Sequence, residues 1–305
     1  MLTALAVLVA ATLEVVVGEP PTRLHPVAWL GSVVGMVDRE WRRPSLVGAA
    51  AALVLPLAVA AVVALLVAGA TSVSLLGGVL LAGAVLFLTT SLRMLVSVAW
   101  RVVVDSERDL EAAREGLLAL AGRDARSLSA GHVRSAAVES AAENLADGLV
   151  ASLGAFVLAG ALAPLVGLPA LPVAAGAAAW VKAVNTMDSM LGYHEKRVGT
   201  PAARLDDAVM WFPARVSALA LAAAFADPLA LVRARTWLDR VPSPNSGWPM
   251  GVAAAALDVR LEKPDVYVLN DGAALPDLDT ARRAVRRVGL AGLLSYVVAG
   301  VLAWF

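Results

Sequence analysis

The chain of 305 residues carries 25 Lys and Arg against 25 Asp and Glu, no cysteine, and 59% hydrophobic but only 16% charged residues. Soluble domains average about 25% charged and about 45–50% apolar residues, so this composition excludes an ordinary soluble globule. Zero net charge removes the electrostatic footprint of a nucleic-acid binder, and the lack of cysteine removes disulfides, thiolate metal sites, iron–sulfur clusters and a cysteine nucleophile.

In chain order, the elements predict an all-α fold: a polytopic integral membrane helical bundle with helical cytoplasmic loops. A bilayer core about 30 Å thick needs about 20 mainly apolar residues per helix. Residues 1–17 read as a first, retained helix interrupted by Glu14; they lack the charged start and small-residue cleavage site of a signal peptide. Residues 45–70 carry no charge, and 73–100 carry only Arg93. The polar stretch from Asp105 reads as a helix capped by Gly122. The run 149–181 has no charge either. As one straight helix it would measure ~50 Å, too long for the bilayer. Pro164, Pro169 and Pro172 at its middle predict instead two short helices, 149–163 and 170–184, folded as a hairpin. Residues 209–226 contain Pro213 and Arg215 and read as interfacial or spanning; 288–305 form a last span. No repeat of 20–50 residues is visible, and the whole chain reads as a single membrane-embedded domain.

Loop charge predicts orientation. The connections 71–74 and 164–172 have no basic residue, whereas 38–44, 101–148, 182–206 and 227–287 are arginine-bearing. The positive-inside tendency puts these charged loops in the cytoplasm of a multi-pass protein of the cell membrane. A hairpin over 149–181 would return the chain to the side it left, so that the polar motifs at its two ends could serve one substrate.

Five polar motifs interrupt the apolar background. Gly18-Glu19-Pro20-Pro21-Thr22-Arg23-Leu24-His25-Pro26-Val27 is a stiff, proline-rich loop presenting Glu19, Arg23 and His25 at the membrane surface. In Glu139-Ser-Ala-Ala-Glu143-Asn144-Leu-Ala-Asp147-Gly148, three carboxylates recur at i, i+4 and i+8, which places them on one stripe of a helix. Like charges so spaced repel. The stripe is tolerable under a cation such as magnesium, or as a solvated face with Arg126 and Arg134 as partners. The densest motif is Lys182-Ala-Val-Asn185-Thr186-Met-Asp188-Ser189-Met-Leu-Gly192-Tyr193, immediately after the apolar hairpin. Ionisable residues at a bilayer edge are functional suspects, although Lys182 could simply snorkel to headgroups. Arg204-Leu-Asp206-Asp207 and Pro213-Ala-Arg215 follow, then the turn Ser243-Pro244-Asn245. There is no P-loop, no HExxH pair and no GxSxG elbow.

Together these segments resemble the adenosylcobinamide-phosphate synthase (cobinamide synthase) family of cobalamin biosynthesis. The order matches: the HPV segment at 25–27, GRD at 122–124, ESAAENLADG at 139–148, KAVNTMDSMLGY at 182–193, ARLDD at 203–207, PAR at 213–215 and SPN at 243–245. The chain departs from the family pattern at Glu19, where Asp is usual, at Met210, at Met250 and at Glu262. The resemblance implies an ATP-dependent carbon–nitrogen ligase that joins aminopropanol, free or as its O-phosphate, to a propionate carboxyl of adenosylcobyric acid. It implies Mg2+ as cofactor and ATP as co-substrate. Implied catalytic groups are His25, Lys182 and Asp188. Implied substrate and nucleotide contacts are Arg23, Asn144, Asn185, Ser189, Tyr193, Arg204, Arg215 and Asn245. Implied metal ligands are Glu139, Glu143, Asp147, Asp206 and Asp207. Expected partners are those substrates and the lipid bilayer, with a homo-oligomer or other corrin-pathway membrane enzymes open and no nucleic acid. The rival readings are a transporter, a non-catalytic corrin-pathway scaffold, and a CDP-alcohol-type phosphotransferase; Asp147-Gly148-x-x-Ala151 echoes the last, but Ser152 stands where its arginine belongs.

Overall fold

The computed structural model of the chain describes residues 1–121, 125–192 and 196–305. The GRD segment, with the expected cap at Gly122, and Tyr193 lie outside the described residues. Helices dominate, as expected. Among the described residues, four stretches are long and apolar enough to cross a membrane: Pro44–Val73, Leu75–Arg108, Ala130–Val166 and Leu278–Leu302. A fifth candidate is the pair Thr200–Val209 and Trp211–Phe225, bent by 48°. The protein is a multi-pass membrane protein.

The chain folds as two compact units that alternate along the sequence. The first comprises Met1–Ser91, Ala151–Met210 and Tyr296–Phe305. It holds α1 (Leu2–Val16), α2 (Pro26–Gly35), α3 (Pro44–Val73) and α4 (Leu75–Thr89). It also holds the helices labelled below α8 (Ala151–Leu162), α9 (Ala170–Leu191) and α10 (Thr200–Val209). α3 runs for 30 residues straight through Pro56 and lies along α9, with α8, α4, α2 and α10 packed around it. Contacts between such helices are made close by small residues, because lipid tails supply no hydrophobic drive to bring helices together. A Cβ on Gly176 of α9 would sit 3.0 Å from the Ala60 carbonyl of α3, and one on Gly83 of α4 2.8 Å from the Ala6 carbonyl of α1. The outer face of α3 stays apolar and exposed, through Leu53, Leu57, Leu65 and Leu66. That is what a helix facing hydrocarbon requires.

α8 and α9 form the hairpin. α8 ends in a 3-10 turn over Ala163–Val166, and Gly167 follows at φ +75°, a left-handed conformation that a residue without Cβ adopts at least cost. Pro169 then caps the start of α9. Pro164 and Pro169 thus fall in the connection, and Pro172 in the first turn of α9, where a proline is tolerated.

The expected segment 73–100 differs. The helix breaks at Thr90–Ser91, and the cause is side-chain competition for backbone carbonyls. Thr90 Oγ1 lies 3.2 Å from Leu86 O, 3.1 Å from Phe87 O and 2.9 Å from the Tyr296 hydroxyl.

The second unit comprises Leu92–Val150 and Trp211–Ser295. Its helices are α5 (Leu92–Arg108), α6 (Leu110–Ala121), α7 (Ala130–Leu145), α11 (Trp211–Phe225), α12 (Ala230–Ala234), α13 (Gly247–Leu257) and most of α14 (Leu278–Leu302). α5 is amphipathic: Leu95, Ala99, Val102 and Val103 are buried, while Arg93, Trp100, Arg101 and Arg108 face out. α7 passes into a π turn over Ala146–Val150. A feature outside the all-α expectation is a short antiparallel hairpin, β1 (Leu261–Lys263) with β2 (Tyr267–Leu269), in the register Leu261–Leu269. Asp265 turns it at φ +61°.

Candidate functional site

α9 changes character along its length. From Ala170 to Val181 it is apolar; from Lys182 onward its turns carry Lys182, Asn185, Thr186, Asp188 and Ser189. The helical period puts Lys182, Asn185 and Ser189 on one face. The other face is anchored: Met187 and Leu191 pack with Val34 of α2, Ala52 of α3 and Ala202 of α10. A rigid apolar helix therefore holds a polar tip. The Ser189 hydroxyl donates to Asn185 O (2.9 Å) and that of Thr186 to Lys182 O (2.7 Å), so both are engaged with their own helix. The chain beyond α9 is pinned by the Lys196–Asp38 ion pair at 2.6 Å.

The proline-rich loop supplies the next groups. Gly18, at φ +72°, turns the chain out of α1. Thr22–Leu24 form a 3-10 turn, and His25 caps α2 with Pro26 in its first turn. The cap fixes the His25 tautomer. Its Nδ1 accepts the Val27 N–H at 3.2 Å, so the proton of the neutral ring resides on Nε2. Burial first, and the Lys182 charge second, hold His25 below its ordinary 6.5. Glu19 is shifted the other way: burial raises it, Lys182 pulls it partly back, and Glu14 adds to the rise. Lys182, Glu19 and His25 thus share one electrostatic neighbourhood. Arg23 is exposed, and its carbonyl accepts the Trp29 indole N–H at 3.0 Å.

At the tip of α9, Asp188 lies against Gly192. A Cβ on Gly192 would fall 2.0 Å from Asp188 Oδ1, so a side chain there and this carboxylate position are incompatible. Asp188 is raised by burial and then by the charge of Asp207 on α10. The adjacent aspartates of α10 diverge, as neighbours on a helix do: Asp206 is 9% exposed and Asp207 half-buried. Arg204 of the same helix is exposed.

In the second unit the sequence-predicted residues are tied up differently. Glu139 is 1% exposed. Its Oε1 accepts the Ser135 hydroxyl at 2.6 Å and its Oε2 the Tyr267 hydroxyl at 2.7 Å. Ser135 Oγ in turn accepts the Glu262 N–H at 2.7 Å. Glu139 therefore fastens β1 and β2 to α7. Asn144 Nδ2 donates to Ser140 O (2.9 Å) and Leu120 O (3.3 Å), linking α7 to α6. Glu143 and Asp147 are half-buried, and Asp147 falls inside the π turn, which shifts it off a straight i, i+4 line. Arg215 of α11 donates to Asn245 Oδ1 and to Trp211 O, both at 2.8 Å, and its guanidinium lies over Trp211 (4.4 Å) and Trp248 (5.4 Å). The structure thus brings the PAR and SPN motifs together in one clamp.

Among the described residues no group of three or more His, Asp or Glu gathers as a self-contained metal site. Magnesium, however, usually takes one or two carboxylates, several waters and substrate phosphates. The Asp188–Asp207 pair has that donor chemistry. The sequence assigns no site role to Gly192, Trp248 or Tyr267. The signal for Gly192 was in the motif, a glycine one helical turn after an aspartate; Tyr267 offered none, because its partner lies 128 residues earlier.

The family model described as CobD/Cbib protein matches residues 7–294. The probable cobalamin biosynthesis protein CobD of Methanothermobacter thermautotrophicus is 35% identical, over 97% of this chain and 96% of that protein. The cobalamin biosynthesis protein CobD of Klebsiella pneumoniae is 33% identical, over 99% of this chain and 98% of its own length. That of Geobacter metallireducens is 35% identical over 86% and 82%. No solved structure matches.

Proposed function

Because this chain belongs to the CobD/Cbib protein family, we propose that it serves cobalamin biosynthesis as a membrane-bound, ATP-dependent carbon–nitrogen ligase. The amide would join aminopropanol or its O-phosphate to adenosylcobyric acid. The observation that carries this reading is the polar end of α9, where Lys182 shares one neighbourhood with Glu19 and His25 and, further along the same helix, Asp188 lies beside Asp207. Perturbed titrating groups concentrated at one place mark functional sites more often than structural ones.

The reaction needs three things of the protein. Phosphate charge must be neutralised while the substrate carboxylate attacks phosphorus and the rest of the nucleotide leaves with the oxygen of the broken P–O bond, a proton must leave the incoming amine, and the reacting groups must be held together. Lys182 supplies a fixed cation for the phosphate oxygens. Asp188 and Asp207 would hold Mg2+, which when bound screens the phosphates. Glu19, with its pKa raised by burial, accepts the proton that the amine loses as it displaces the phosphate-bearing oxygen from the acyl carbon. His25 donates through Nε2–H, because Nδ1 is committed to the cap; it orients a substrate oxygen and does not act as the base. Asn185 lies on the same face as Lys182, one turn on, and offers neutral hydrogen bonds. The use of ATP goes with a cytoplasmic position for this tip.

The test is direct. Purified protein in detergent, given adenosylcobyric acid, Mg-ATP and either aminopropanol or its phosphate, should form the corresponding amide, read as the mass gain on the corrinoid. The product should fail to appear without ATP. No amide with either amine, from protein that is folded and monodisperse, would overturn the reading.

A further inference from the structure

The last helix carries a second charged feature that the ligase reading does not use. Ahead of the span, Asp277 caps α14 through Oδ1, which accepts the Thr280 N–H at 2.8 Å. A cavity of about 530 Å³ follows, lined by Asp279, Thr280, Arg283, Arg286, Arg287 and Leu290. Small-molecule sites commonly occupy about 300–1,000 Å³.

The arginines in this wall are not equivalent. Arg287 is committed, donating from Nη1 to Ala224 O of α11 at 2.7 Å. Asp279, the one acid of the lining, is paired with Arg282 at 3.4 Å. Arg283 and Arg286 are exposed and, among the described residues, neither is within ion-pair distance of a carboxylate, though Arg283 acts on Asp277 from farther off and Arg286 Nε donates to Arg282 O at 3.4 Å. The guanidinium of Arg286 lies 5.8 Å over the ring of Trp100 on α5.

Below the arginines the same face turns apolar. Positions 283, 286, 290 and 293 follow one another at helical spacing, and Leu290 and Leu293 are 38% and 52% exposed. Trp100, 37% exposed, stands beside this change. Indole side chains prefer the depth where headgroups meet hydrocarbon.

We propose that this cavity holds the headgroup of an anionic phospholipid, with the phosphate between Arg283 and Arg286 and the acyl chains running down over Leu290 and Leu293. Arg283, Arg286 and Arg287 outnumber the two carboxylates near them, Asp279 paired with Arg282 and Asp277 at the helix cap, and so select a negative headgroup. The apolar lower wall selects a lipid over a soluble phosphate, which would leave Leu290 and Leu293 unused.

Native mass spectrometry of the full-length protein, in detergent with equal phosphatidylglycerol and phosphatidylcholine of matched chains, reads the selectivity. The wild type should retain phosphatidylglycerol preferentially. R283Q/R286Q should lower that preference by roughly 25-fold, at about fivefold per arginine near an anionic surface. R283K/R286K, which keeps the charge and guards against a folding defect, should keep most of it. R39Q/R42Q, which removes equal charge elsewhere, should leave it intact. An unchanged ratio in R283Q/R286Q, or an equal loss in R39Q/R42Q, would overturn the proposal. So would displacement of the lipid by millimolar inorganic phosphate, which would assign the arginines to a soluble anion.

Discussion

The polar turns of α7 and of α9 look alike in sequence and differ in structure. Each carries carboxylates next to the apolar hairpin. On α7, Glu139 is sealed in, with each carboxylate oxygen accepting a hydroxyl proton. On α9, Asp188 is held half-buried against Gly192, beside another carboxylate and with its pKa raised. Spacing alone cannot tell a strut from a reactive group. What separates them is whether the surroundings satisfy the charge, as Ser135 and Tyr267 do for Glu139, or disfavour it, as burial and Asp207 do for Asp188.

The sharpest way to break this contrast is to neutralise both carboxylates in parallel. Asp188→Asn should reduce ligation per folded molecule by about 10²–10³-fold, the scale of losing a positioned electrostatic group, with little change in thermal stability. A melting curve and an amide-forming assay on the same preparation check this. Activity within a few-fold of wild type would move Asp188 to the structural side.

A subtler lesion leaves every functional group in place. Gly192→Ala sets a Cβ where Asp188 Oδ1 now lies. It should cost about tenfold in kcat by displacing the carboxylate, since small misplacements of reacting groups are expensive. Normal kcat in this variant would mean that the Asp188 position is not what matters.

Glu139→Gln should behave in the opposite manner. Hydrogen bonds to a charged group contribute about 1.5–3 kcal/mol. The variant should therefore lose roughly that much stability in denaturant or thermal unfolding, while activity per folded molecule persists. Loss of activity without loss of stability would return Glu139 to the catalytic side.

The smallest expected effect is on pH dependence. Glu19 has a folded pKa above its ordinary 4.5. Its contribution to stability is therefore fully present below 4.5 and lost as pH rises through the raised value. Glu19→Gln should flatten that decline and melt slightly higher than wild type at neutral pH. His25 runs the other way, being lowered from 6.5: its contribution is present above 6.5 and lost as pH falls through the lowered value. His25→Asn, which preserves a capping side chain, should remove that acid-side slope. Melting profiles that keep both slopes in these variants would contradict the assignments.

Much of this was legible in the sequence where the cause is local. Three prolines announce the turn between α8 and α9, since a proline inside a helix removes a hydrogen bond and clashes with the preceding turn. The long uncharged run of α3 announces a membrane helix in the same way. The polar tip of α9 was legible as a motif, because ionisable residues directly after an apolar run carry a cost that function explains. The rest depends on partners far away in the chain. The break at Thr90–Ser91 has no proline or glycine to mark it and involves Tyr296, 206 residues on. The burial of Glu139 depends on Tyr267, in a three-residue strand too short to read from alternation. The His25 tautomer follows from the side-chain cap on the Val27 N–H, which depends on local backbone geometry that no residue type announces.

The central claim is that the polar tip of α9 receives the substrates, and the absence of cysteine from the chain makes it testable without background. Ser189→Cys is nearly isosteric at an exposed position of that tip, and Thr236→Cys provides an exposed control in the 235–240 turn. The measurement is the alkylation rate of each single cysteine by a polar maleimide, with and without adenosylcobyric acid and Mg-ATP. Marked slowing at position 189 and none at position 236 is the predicted result; equal rates at 189 with and without ligands would contradict the claim.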